Sequence, residues 1–180
     1  MAMGPRTEFD GSLGMALSCA AALRVGGAVF ILAEAAGLGD LYYVADAGLR
    51  AGERAAGGRA LNAQVVQAAR KAQVRLLSRS ASMLVPEFAG AALLVLGLTL
   101  DALAEGAAGS SLAGVLASAL DAAAQWPGHV DLEEAGSLSV FERFCQEEAS
   151  AQLSASGAAG LKSVTGTREL QYRRLAQAFR

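Results

Sequence analysis

Proline occupies only positions 5, 86 and 127, so the 80 residues from 6 to 85 lack the residue that most reliably ends a helix. Into that latitude the chain places alanine, the strongest helix former, at 41 of 180 positions, against 17 β-branched residues (12 Val, 4 Thr, 1 Ile) of the kind pleated strands favour. An all-α fold follows. Leu, Ile, Val and Phe make up 45 of 180 residues, above the roughly 20% below which a chain buries too little apolar surface to fold. The length suits one domain. The expectation is therefore a single-domain bundle of six or seven helices covering 1–180, with a tail at 1–10, an acidic loop at 126–138 and a flexible turn at 156–166.

Periodicity divides the bundle. A first apolar helix runs from Ser12 to about Ala36, with Arg24 at its middle and Gly26-Gly27 allowing close approach. Gly37 to Gly39 end it, and Asp40 is the candidate cap for a second helix that stops at Gly57-Gly58. A third, from about Ala60 to Val85, is the most cleanly amphipathic. Leu61, Val66, Ala69, Ala72 and Leu76 share one face, while Gln67, Arg70, Lys71 and Arg75 share the other. Pro86 suits the first turn of a fourth helix, whose stretch from Phe88 to Leu100 is apolar all round and is expected at the centre of the bundle. A fifth spans about Ser111 to Gln125. Ser139 and Glu142 have the spacing of a capping box for a sixth, from about Val140 to Ser154. Gly157 to Gly160 should break it, with Thr167 capping a seventh that reaches the C-terminus.

Two stretches bear on the membrane question, because mean hydropathy is +0.36. Alanine supplies most of that value. The apolar run from Phe88 to Leu100 is 13 residues, short of the about 20 needed to span hydrocarbon, and lengthening it brings in Glu87 or Asp101. The stretch from Ser12 to Ala33 is long enough only with Arg24 inside it, at a cost of roughly 2.5 kcal/mol or more. Packing against sister helices explains both better; a membrane-associated protein inserting helices 12–36 and 87–103 is the alternative. Glu8 and Asp10 stand where a secretory signal would be basic, so no signal peptide is expected, and a cytoplasmic location follows.

Charge is segregated. Arg50 to Arg79 holds seven basic residues against Glu53, whereas Asp101 to Glu148 holds nine acidic residues against Arg143. Such blocks complement each other inside a bundle or form a docking face. With a net charge of −2 and no aromatics between the cations, nucleic acid is not an expected partner. The candidate interaction surface comprises Arg70, Lys71, Arg75 and Arg79 on the third helix, with Tyr172, Arg173, Arg174 and Phe179 on the last, and its basic face suits an acidic protein partner or an anionic membrane.

Chemistry is poorly provided for. Cys19 and Cys145 are too few for a disulfide framework, and His129 is the sole histidine, beside a Pro-Gly turn. The adjacent pairs Glu133-Glu134 and Glu147-Glu148 lack the spacing of carboxylate metal sites. The segment from Gly157 to Ser163 departs from a phosphate loop, because Leu161 separates Gly160 from Lys162 and no strand precedes it. No cofactor, metal or catalytic residue is predicted. The leading expectation is a non-catalytic helical interaction or assembly module, most simply a homodimer. A small helical enzyme or apolar-ligand-binding protein is a further alternative.

Overall fold

The computed structural model describes residues 11–106 and 112–179, which form six α-helices and no strand. These are α1 (Gly11–Ala35), α2 (Gly39–Ala56), α3 (Ala63–Arg79), α4 (Pro86–Glu105), α5 (Leu112–Ala124) and α6 (Leu138–Gln177), with a short 3-10 turn at Ser80–Ser82. The expected tail at 1–10 and the segment 107–111 between α4 and α5 fall outside the described residues.

Local chemistry sets most boundaries. Gly37, Gly58 and Gly106 have φ of 72°, 92° and 63°, a region costly for residues with a Cβ, and each follows a helix end. Pro86 opens α4, where its missing N–H is not needed. Several expectations require correction. The third helix begins at Ala63 rather than about Ala60, with Asn62 capping it by accepting from the Val65 N–H. That helix ends at Arg79, before the 3-10 turn and the extended Met83. Asp40 sits in the first turn of α2 rather than capping it. Ser137 caps α6 by accepting from the Val140 N–H, so Ser139 and Glu142 form no capping box, and Glu142 turns into the core.

The largest departure concerns α6. Its helical backbone is interrupted at Gly157 (φ 66°, ψ −164°), inside the turn expected over 156–166, but helix resumes at once, so Thr167 lies inside a helix with its hydroxyl on the Ser163 carbonyl. Arg168 bonds Glu148 and Tyr172 bonds Glu142, 20 and 30 residues apart. At 1.5 Å per residue a straight helix would hold those pairs about 30 and 45 Å apart. The two arms of α6, 138–156 and 158–177, therefore fold back on each other as an antiparallel hairpin.

That hairpin embraces α1. Every residue from Ala16 to Ala33 is buried, and α1 packs against α2, α4, α5 and α6. The most enclosed helix is thus α1 and not the stretch 88–100, since α4 leaves Leu94 and Leu98 exposed. Small residues explain the choice, because helices approach closely only where side chains are short. A Cβ on Gly27 would lie 2.6 Å from the Glu169 carbonyl oxygen, and one on Gly26 would lie 2.7 Å from the Tyr42 hydroxyl. One apolar cluster joins residues from all six helices, with Phe88, Trp126 and Phe179 stacked edge to face at one end (4.8 and 5.2 Å between centroids).

Candidate functional site

The expected docking residues divide into an exposed set on α3 and a largely internal set on the second arm of α6. Antiparallel packing of α3 on α4 fixes the exposed set. Gln73 is buried and donates from Nε2 to the Leu93 carbonyl (2.6 Å), against Gly97, where a Cβ would lie 2.7 Å from that nitrogen. This register turns Lys71, Val74 and Arg75 outward beside a shallow groove that Gln67, Arg70 and Asp101 also line. Arg70 reaches across to Asp101 (2.6 Å), an exposed bridge of about 0–1 kcal/mol. Lys71, Arg75 and Arg79 are exposed and make no ion pair among the described residues. Val74 is 62% exposed, and Leu84, Leu94 and Leu98 stand out from the start and outer side of α4. The surface therefore combines unmatched cations with uncovered aliphatic side chains.

The internal set is placed differently from the expectation of a docking surface. Tyr172 is fully buried and donates to Glu142 (2.7 Å). Phe179 packs on Trp126. Arg173 is half-buried, bonded to Glu169 (2.7 Å), with its guanidinium 4.4 Å from the centre of the Phe30 ring. Arg174 alone of the four is exposed.

Sequence reasoning missed the polar group at the heart of the fold. Arg24 donates to Glu142 through two nitrogens (2.6 and 3.2 Å), with side-chain exposures of 2% and 0%. The same carboxylate accepts from Tyr172 and from Gln146 (3.2 Å), which also donates to the Leu116 carbonyl. Burial works against the Arg24 charge, but Glu142 outweighs it and holds the guanidinium pKa above its usual value. Burial, and then Glu142, push the Tyr172 phenol well up, so it remains a donor. A signal was present, since an acid within the apolar stripe of Leu138, Phe141, Cys145 and Ala149 demands a buried cation. The group is enclosed, so it locks α1 to α6 rather than meeting a substrate.

Two further arginines clamp the hairpin. Arg168 takes Glu148 through two nitrogens (2.7 and 2.9 Å) and Glu133 through a third (2.8 Å), with its guanidinium 5.0 Å from the centre of the Phe144 ring. Arg50 on α2 reaches Glu169 (2.6 Å). Four of the nine acids in the stretch 101–148 (Asp101, Glu133, Glu142 and Glu148) are therefore met by Arg24, Arg70 and Arg168. The cations of α3 are left largely unmatched. Cys19 and Cys145 are buried free thiols, pushed up to about 12 chiefly by burial, which suits packing rather than nucleophilic chemistry. Among the described residues no three His, Cys, Asp or Glu side chains are grouped to hold a metal ion. No protein-family model, curated protein or solved structure matches this chain.

Proposed function

We propose that the chain is a non-catalytic helical interaction module that receives an acidic amphipathic segment of a partner protein on its α3–α4 face. The observation carrying this reading is the pairing of Lys71, Arg75 and Arg79, none in an ion pair, with exposed Val74, Leu94 and Leu98 on the neighbouring turns. Cations of this kind steer an acidic partner to the surface, and the aliphatic side chains supply the apolar area that holds it. The register imposed by Gln73 keeps both features on one pair of helices. The enclosure of α1 and the pairing of its Arg24 support this reading over insertion of α1 into lipid, and a cytoplasmic location is proposed along with it.

Affinity capture with the wild type and with the triple variant Lys71→Glu, Arg75→Glu, Arg79→Glu tests the face, with circular dichroism checking the fold. The expected result is a partner with an acidic helical segment that is retained by the wild type, released by salt and lost by the variant. Capture unaffected by charge reversal rejects the surface. A dimeric native mass disrupted by Leu94→Glu but not by the triple variant assigns the leucines to a second copy of the chain and also overturns the proposal.

A further inference from the structure

At the end of the molecule where α2 stops and α6 turns back, three more cations converge. The α2 terminus is built for this. Arg59 N–H bonds the Arg54 carbonyl (3.1 Å) and Gly58 N–H bonds the Ala55 carbonyl (2.9 Å), with Gly58 left-handed at φ 92°. This paired pattern closes a helix and folds the next residue back over its last turn. Arg59 is thereby held close to Arg54. From the opposite side, the turn at Gly157 sets Ser156 at the tip of the hairpin and Lys162 on the following turn. Arg54, Arg59, Lys162 and Ser156 line one groove, whose other walls are mostly alanine and glycine.

The charge count is decisive. Three cations face one acid, Glu53, a local balance of +2. All three are exposed, and none makes an ion pair among the described residues. Glu53 is half-buried below them, where burial raises its pKa and Arg50 and Lys162 oppose that rise. A phosphate monoester carries about −1.5 to −2 at neutral pH and offers three acceptor oxygens. Two arginine forks and a lysine suit that group, since each guanidinium can give two parallel N–H bonds. Small side chains on the walls leave room for it.

We propose that this groove binds a phosphate group, carried by a small soluble monoester or by an anionic lipid headgroup. The site shares no residue with the α3–α4 face and stands or falls apart from it.

The full-length protein is titrated with inorganic phosphate and with glycerol 3-phosphate by calorimetry and by amide resonances of Gly57, Ser156 and Ala159. In a separate arm it is sedimented with vesicles of phosphatidylcholine and phosphatidic acid in equal parts. Arg54→Gln and Lys162→Gln should each weaken binding roughly tenfold, the loss of one charge-assisted hydrogen bond. Arg143→Gln, one exposed cation removed elsewhere, should leave it unchanged. Saturable binding of the soluble probes assigns the site to a monoester. Sedimentation that Arg54→Gln abolishes, without soluble binding, assigns it to a headgroup. Absence of saturable binding in every arm overturns the proposal, as does an equal loss in Arg143→Gln, which would mark a diffuse effect of net charge.

Discussion

Replacing Glu142 by Leu should be among the most damaging single changes available to this chain. The substitution strands the Arg24 guanidinium, 2% exposed and held by two bonds of 2.6 and 3.2 Å, and takes the acceptor from the Tyr172 hydroxyl. Removing one partner of a buried pair costs about 3–5 kcal/mol, because the remaining charge keeps its desolvation penalty and loses its compensation. A domain of this size is stable by about 5–15 kcal/mol, so the variant should be marginal. Its thermal midpoint should fall by roughly 6–20 °C, taking about 2–4 °C per kcal/mol for 150–250 residues. The double variant Arg24→Met, Glu142→Leu removes the stranded charge and should recover most of that loss. Adding Tyr172→Phe should recover more, by removing the orphaned hydroxyl. Urea unfolding followed by circular dichroism measures all four proteins. If Glu142→Leu costs less than about 1 kcal/mol, or the double variant is no better than the single, the claim that this pair locks α1 into the bundle is wrong.

Two further predictions follow from buried titratable groups. Because burial pushes the Cys19 and Cys145 thiols up to about 12, neither should react with a thiol reagent at neutral pH in the native protein, and both should react on unfolding; prompt native labelling would contradict the packing described. Asp46 has a pKa raised mainly by burial, with Oδ1 unpartnered and Oδ2 a long 3.4 Å from Arg50. A raised folded-state pKa on an acid means that folding penalises the ionised form, fully above that pKa and no longer below the ordinary carboxylate value. Asp46→Asn should therefore stabilise the protein at neutral pH and lose that advantage as pH falls through the carboxylate range, as unfolding curves across pH will report.

How much of this was legible in the residues depends on the kind of signal. Helices and their stops could be read where backbone chemistry is local, as at Pro86, Gly37 and Gly57-Gly58. The hairpin could not, because Gly157 to Gly160 reads as a breaker of unspecified length, whereas one left-handed residue reverses the chain and helix resumes at once. The same limit governed the centre of the bundle. Apolarity favoured 88–100, yet what lets a helix be surrounded is side-chain size, and α1 with Gly26, Gly27 and its alanines is the thinner rod. The cations of α3 were visible as a block. That Arg70 would be neutralised by Asp101 while Lys71 and Arg75 would not depends on the α3–α4 register, which no local pattern encodes. Tyr172 and Phe179 were misjudged because an amphipathic stripe does not say whether its apolar side meets the same chain or another.

The embrace of α1 by the final hairpin has a bearing on how the protein is made. Arg24 must find Glu142, 118 residues later, and Gly27 must find Glu169, later still. At about 5–20 residues per second, a ribosome needs roughly 6–24 s to deliver that first partner. Throughout that interval α1 lacks the hairpin that completes its enclosure and its arginine stays uncompensated, so this helix waits on partners made long after it.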